Sequence, residues 1–265
     1  MPRNLFAILV MLLVSCRLLA TNFVIDSMCF EVINNNDRKV SLALCWDNNI
    51  IVDIPEIVEW QDQSYKVVEI APFALRNCLA MKQLKVPKTC VKIHTTSLYY
   101  PPLLERIILD QDNTAYSDID GVLFNKEQTI LYSYPRGRMN ETYNVPDGVT
   151  TIADNAFFKC TWLHILKFPT SLTQIGQSAF AGCHALESLT LPEHLVEVDH
   201  YAFYDCVHLL SVKVMGNDAI LLGEQLFSYT TYINGELQLN SKACPQTVFQ
   251  FRKLGFSRIS FFDNP

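Results

Sequence analysis

One short phrase recurs along this chain at a fixed spacing, and that spacing limits what the chain can become. Ile152-Ala-Asp-Asn-Ala-Phe157-Phe-Lys-Cys160, Ile175-Gly-Gln-Ser-Ala-Phe180-Ala-Gly-Cys183 and Val198-Asp-His-Tyr-Ala-Phe203-Tyr-Asp-Cys206 follow one another at intervals of 23 residues. Each copy runs on in the same register, to Leu163, Leu166 and Phe168, to Leu186, Leu189 and Leu191, and to Leu209, Val212 and Val214. A period in the twenties with apolar residues at constant offsets is the signature of stacked coils, each burying its spine against the next. Such a solenoid presents an extended surface, and any chemistry has to be added to it. The repeat therefore favours binding over catalysis.

Fainter copies extend the array. Anchoring on Ile70 gives Ala74-Leu75, Cys78, Met81, Leu84 and Val86-Pro87 at the matching offsets. Another 23 residues on, Ile93 leads to Leu104, Ile107 and Leu109, with the central phrase decayed to Ser97-Leu98-Tyr-Tyr-Pro101. Pro87, Pro146, Pro169 and Pro192 each stand six residues before an anchor. Proline cannot donate to a sheet ladder, so these positions mark where a strand ends and the chain turns. The spine is read as leucine-rich repeats in a mainly β solenoid with short helices and turns.

The flanks follow from what an array needs at its ends. Residues 1–20 read as an export signal, with Arg3 as the charged start and Leu5–Val14 as a ten-residue apolar run too short to span a bilayer. Two processing routes stay open. Leu13-Val14-Ser15-Cys16 resembles a lipobox that would lipidate Cys16, and cleavage after Ala20 fits ordinary processing and is preferred. Residues 21–69 are expected to form an N-terminal β cap: a strand from Phe23 to Val32, a turn at Asn34–Asp37 and a second strand from Val40 to Leu44. Such a hairpin would cover the edge of the first coil. Repeats occupy 70–109 and 145–220. The 110–144 stretch between them is expected as a hairpin insertion, from Gly121–Phe124 and Thr129–Tyr132 around a polar turn. Residues 221–265 would close the array as an irregular coil with a terminal helix and strand.

The string Val-x-x-Ile-x-x-x-Ala-Phe-x-x-Cys-x-x-Leu-x-x-Leu-x-Leu-Pro resembles the BspA-like leucine-rich repeats of bacterial surface and secreted proteins. Thr173–Pro192 carries it most closely, and the Asp120-Gly-Val-Leu-Phe-Asn-Lys segment and the opening Phe23-Val-Ile-Asp are also similar to parts of that family. The resemblance implies a right-handed solenoid with a parallel sheet along its concave side, exported and engaged in adhesion or in binding host and microbial proteins. It brings no catalytic residues and no cofactor.

Composition narrows the partners. The chain carries a net charge of −6, and removing residues 1–20 takes away two arginines and no acids, leaving −8. Without a basic cluster it lacks the footprint of a nucleic-acid binder. No apolar run after the signal reaches transmembrane length. Gly-x-Gly-x-x-Gly, Gly-x-x-x-x-Gly-Lys, His-Glu-x-x-His and Cys-x-x-Cys are all missing. Cys183-His184 with Cys206-Val-His208 is the sharpest metal candidate. The repeat register turns those cysteines inward and the histidines outward, against the convergence that zinc needs. Asp199-His200 could be drawn into a triad, but no serine is marked as its nucleophile. Asn140-Glu-Thr142 is a glycosylation sequon of consequence only in a eukaryotic secretory pathway. The nine cysteines of an exported chain suggest disulfides, yet Cys78, Cys160, Cys183 and Cys206 share the eighth offset, where small buried side chains stack. Free thiols are expected throughout the mature chain.

The candidate site is the row of strand residues that the spine leaves exposed: Lys85, Arg106, Ile108, Ile165, Lys167, Thr190, Leu210 and Lys213. Its apolar points and its column of lysines favour a binding face for another protein or a glycan at the cell surface, because interface cores are enriched in apolar groups and Arg. The competing expectation is a structural spacer or envelope component without a specific ligand.

Overall fold

The computed structural model describes residues 22–228, 235–254, 256 and 258–263. Residues 1–20, expected to be an export signal, and Cys16 lie outside these. The protein forms two compact units, one of the chain up to Pro102 with Ile108–Ala115, the other of Leu103–Ile107 with Tyr116 onward.

In the first unit the opening segment divides into two strands, Asn22–Ile25 and Met28–Asn34, paired antiparallel. The reading of one continuous strand missed the tight turn at Asp26, whose φ of 51° is left-handed and suits Asp. Lys39–Cys45 completes an antiparallel meander, then pairs in parallel with Gln63–Ile70. Ile70 in turn lies beside Ile93, one period later. The meander thus leads directly into the coils. Phe23 stacks on Trp60 at 4.7 Å and nearly coplanar, sealing the far end of this cap.

The second unit is the regular array. Two-residue strands at the anchors, Thr151–Ile152, Gln174–Ile175, Glu197–Val198 and Leu221–Leu222, pair in parallel and in register. A second parallel sheet runs through Thr142–Asn144, Ile165–Lys167, Ser188–Leu191, Ser211–Val214, Glu236–Asn240 and Arg258–Phe262. Between the two ladders, the Ala-Phe phrases join coils by their own bonds. The backbone N–H groups of Asn155, Phe157 and Lys159 donate to the carbonyls of Gln177, Ala179 and Ala181 at 2.7–3.0 Å. That aim needs two left-handed residues per coil. Asn155, Ser178, Tyr201 and Gln225 occupy the first such place, and Lys159, Gly182 and Asp205 the second. Left-handed backbone is unfavourable for Tyr and Lys, and the intercoil hydrogen bonds offset that cost.

The 110–144 stretch contains the expected antiparallel pair, Val122–Asn125 with Ile130–Ser133, preceded by a further strand, Tyr116–Ile119. Ile130–Ser133 then continues into the parallel ladder, with Leu131 beside Ile152. Thr142–Asn144 pairs with Ile165–Lys167. Residues from about Ile130 to Val145 therefore occupy the place of a coil. Past Val214 the repeat also persists, since Leu222 lies beside Val198 and Phe227 stacks on Phe203. The helix Pro245–Lys253, with Pro at its start, and the strand Arg258–Phe262 end the array.

The core is a set of columns. Phe157, Phe180, Phe203 and Phe227 stack face to face with centroids 4.8, 5.2 and 5.4 Å apart. Tyr134, one period before Phe157, extends the column at 5.0 Å. The spine leucines of the clean copies are buried. Phe168 is the exception among the clean copies, half-buried and edge-on to Phe180 at 5.7 Å.

Candidate functional site

Two central strands of the parallel sheet in the second unit alternate strictly. In Ser188–Leu191, Leu189 and Leu191 point into the core and Ser188 and Thr190 outward. In Ser211–Val214, Val212 and Val214 point in and Ser211 and Lys213 out. Register carries this alternation from coil to coil, so outward side chains line up in columns. Ser188, Ser211, Glu236 and Arg258 form one column, and Thr190, Lys213, Gln238 and Ser260 another. Ile165 opens the first beside Ser188, and Lys167 stands beside Asn144 at the head of the second. Neighbouring strands in a ladder are ~5 Å apart, which sets the pitch of the face.

The predicted residues fall into three groups. Ile165, Lys167, Thr190 and Lys213 share this sheet of the second unit and Leu210 immediately precedes its strand Ser211–Val214, with Ile165 and Leu210 about half exposed. Lys167 makes no ion pair among the described residues. The Lys213 ammonium lies 4.1 Å from the centre of the Phe262 ring, a cation–π contact that fixes its position. Arg106, also in the second unit, is tied to Asp120 at 3.4 Å. Lys85 and Ile108 belong to the first unit. There Lys85 stands opposite Asp53 on the paired strands Ile51–Asp53 and Gln83–Val86 and bridges to it at 3.4 Å. Exposed bridges of this kind contribute little stability, but they lower the free charge that Lys85 presents.

Two features of the surface were not legible from offsets alone. Trp162 projects half-exposed from the coil that carries Ile165. A latch also closes on the hairpin, where Arg138, nine-tenths buried, donates to the Asp120 carbonyl and to its Oδ2 at 2.6 Å. This hydrogen bond, with the guanidinium charge, holds the Asp120 carboxyl below the usual carboxylate range. Gly137 next to the latch lies so close to the Leu103–Leu104 backbone that a Cβ would meet it at 2.4 Å. Arg106, Asp120, Arg138 and Met139 line an open cleft of about 350 Å³.

The cysteine ladder has a precise geometry. Cys183 donates its S–H to the Phe157 carbonyl at 3.1 Å, and Cys206 donates to that of Phe180 at 3.2 Å. Cys160 makes the same, longer bond to Tyr134. A thiol fits this slot because it is apolar enough for a core and still donates weakly. Burial pushes the Cys160 and Cys206 thiols far above their ordinary value and Cys183 up to about 12. These cysteines are free, as are Cys45, Cys78, Cys90 and Cys244. Cys29 is disulfide-bonded, so the expectation of free thiols fits the seven other cysteines described and not Cys29. The histidines of the metal candidate are engaged elsewhere, His184 with Asp205 at 3.0 Å and His208 with the His184 carbonyl.

The profile of the BspA type leucine rich repeat region matches six copies, over residues 58–135 and 132–254. The chain belongs to the BspA-type leucine-rich repeat family. Its fold is similar to that of a leucine-rich repeat protein of Eubacterium ventriosum, at 20% identity and a TM-score of 0.57, covering 73% of this chain and 52% of that one. A leucine-rich repeat protein of Bacteroides ovatus gives 21% identity and a TM-score of 0.54 over 90% of this chain and 67% of the other. The pneumococcal vaccine antigen PcpA gives 14% and 0.52 over 93% and 100%. The chain thus spans about half the length of the Eubacterium protein. No curated protein is similar enough in sequence to be counted as a relative.

Proposed function

We propose that this BspA-type repeat protein is exported and binds another protein, or a glycan, at the bacterial cell surface through the outward face of its parallel sheet, without catalysis. The observation that carries this reading is the in-register face itself. Lys167, Thr190 and Lys213 recur along one column while Ile165 and Leu210 stand exposed beside it, all on a backbone held by parallel ladders. A rigid row at ~5 Å pitch presents a fixed pattern, so a partner loses little on meeting it. Family membership supports recognition as the role, and the composition of residues 1–20 supports export.

The test uses arrays of extracellular proteins and of glycans, probed with the mature chain and with a Lys167→Glu/Lys213→Glu variant. A ligand held by this face binds the wild type and loses at least about tenfold in affinity to the variant, more at low salt where exposed charges are less screened. Circular dichroism should show the fold of the variant unchanged. Ligands that bind both proteins equally would remove the sheet face as the site. The cleft at Arg106 and Asp120 would then be the surface to mutate next.

A further inference from the structure

The cleft beside the hairpin holds hydrogen-bonding groups that its own latch leaves unused. Asp120 divides its contacts. Its Oδ2 accepts from Arg138 at 2.6 Å, whereas among the described residues its Oδ1 meets only the Arg106 guanidinium, at 3.4 Å. That distance is well beyond the ~2.7–2.9 Å of a charge-assisted hydrogen bond, so an acceptor and a donor stand side by side with bonding capacity to spare. Asn140, exposed on the same wall, makes no side-chain hydrogen bond among the described residues. Arg138 is fixed beneath them, nine-tenths buried and 5.2 Å from the centre of the Tyr134 ring. The polar wall is therefore in place before any ligand arrives. Beside it the surface turns apolar. Met139 is 68% exposed. Trp162 stands 23 residues after Met139, and the N–H groups of His164 and Ile165 both donate to the Glu141 carbonyl at 2.9 Å. The ladder thus brings the half-exposed Trp162 ring level with Met139 at the side of the cleft.

We propose that this cleft is a saccharide site, distinct from the lysine column of the sheet and taking an uncharged hexose unit. The inference goes beyond the sheet-face reading and does not depend on it. Charge argues for a neutral ligand, because Arg106 and Arg138 are balanced by Asp120 and Glu105 around the cleft. A hydroxyl both donates and accepts, so two neighbouring sugar hydroxyls match the Asp120–Arg106 pair. One donates to the Asp120 Oδ1 while the other accepts from the Arg106 guanidinium. The Asn140 carboxamide can serve a third. A pyranose ring also has a face of C–H groups, which packs on the electron-rich face of an aromatic ring such as Trp162. A wall already held by the Arg138 latch loses little freedom when it binds. The volume of about 350 Å³ falls at the lower end of the ~300–1,000 Å³ usual for small-ligand sites, which suits a short saccharide or the end of a longer one.

The experiment titrates the full chain with neutral hexose disaccharides and tetrasaccharides, and with their sulfated and uronic-acid counterparts, following tryptophan emission and the heat of binding. At least one neutral saccharide should bind and shift the emission, and its charged counterparts should bind no more tightly. Arg106→Ala and Trp162→Ala should each lower the affinity at least about tenfold, the first by losing a hydrogen bond to a charged group. The emission shift should vanish in Trp162→Ala. Trp162→Phe, which keeps a ring, should recover part of the affinity, and circular dichroism should show every variant folded. Lys167→Glu/Lys213→Glu should bind the saccharide as the wild type does, which separates this site from the sheet face. The proposal is overturned if no neutral saccharide binds, if the charged counterparts are preferred, if either cleft variant keeps the wild-type affinity, or if the sheet-face variant loses the sugar.

Discussion

Phe180→Ala is the sharpest probe of how the coils hold together. The ring is fully buried, stacked between Phe157 at 4.8 Å and Phe203 at 5.2 Å, with Phe168 edge-on at 5.7 Å. Removing a buried Phe side chain costs roughly 3–5 kcal/mol, from lost transfer energy and the cavity left behind. Aromatic pairs add about 0.5–1.5 kcal/mol each beyond area, and three are lost here, so the value should lie at or above the top of that range. Neighbouring coils cannot collapse into the gap without breaking the Ala-Phe bonds on either side. Thr190→Ala, on the exposed face, should stay within roughly 0.5 kcal/mol. Urea unfolding followed by circular dichroism compares the two midpoints. A double-mutant cycle with Phe157→Ala should add a coupling of at least about 0.5 kcal/mol, because the rings touch. Equal midpoints for Phe180→Ala and Thr190→Ala, or no coupling to Phe157, would refute the stacked-column account.

Other consequences can be checked directly. Leu189→Ala should cost ~2–5 kcal/mol by the same cavity argument, read from its unfolding midpoint. The buried thiols make stability fall in alkali. Their folded values lie above the unfolded one of about 8.5, so their contribution is complete below that pH and is lost as pH rises toward the folded values. For Cys183 this window runs up to about 12. Cys183→Ala should flatten the loss between about pH 9 and 12, by up to about 1.4 kcal/mol per pH unit where the thiol differs in charge between the states, and a pH series of urea midpoints shows whether it does. Arg138→Ala should free the hairpin, with faster amide exchange at Tyr116–Asn125 and a cost of about 1–3 kcal/mol from the broken hydrogen bonds to a charged group. Mass analysis of the chain purified from its native host should show an N-terminus at Thr21, or a lipidated Cys16.

The regular coils were legible because burial repeats with the sequence. Phe157, Phe180 and Phe203 stand 23 residues apart and stack where that spacing puts them. Tyr134 stands 23 residues before Phe157 and could have been found by the same arithmetic, but its coil keeps almost none of the other marks. Leu131, its anchor, is 21 residues from Ile152, so a fixed offset steps over it. The turn at Asp26 was hidden because Phe23–Ile25 and Met28–Val32 have the same strand-forming character on either side. On the candidate face, outward direction followed from alternation. What each charge does once there did not. Asp53 beside Lys85, Asp120 beside Arg106 and Phe262 under Lys213 all come from distant parts of the sequence. The bond from the Cys78 thiol to the Cys45 carbonyl, at 3.5 Å, was equally out of reach, since Cys45 lies in the cap and has no repeat offset.

The bond from each ladder cysteine to the preceding aromatic carbonyl bears on how such a chain changes length over generations. Cys183 reaches Phe157, and Cys206 reaches Phe180, through the same atoms in the same arrangement. Excision of one whole period would bring Cys206 to the carbonyl of Phe157 and Phe203 to its ring, restoring the joint that was cut. Insertion of a period would make one more joint of the same kind. Small differences in length are taken up between the ladders, as in the 24-residue step from Val198 to Leu222, whereas a gain or loss inside a strand or an Ala-Phe phrase would shift its register. Coil number in this architecture is thus free to drift by unequal recombination, in whole steps only, and the reach of the molecule can be inherited as a variable while its cross-section is not.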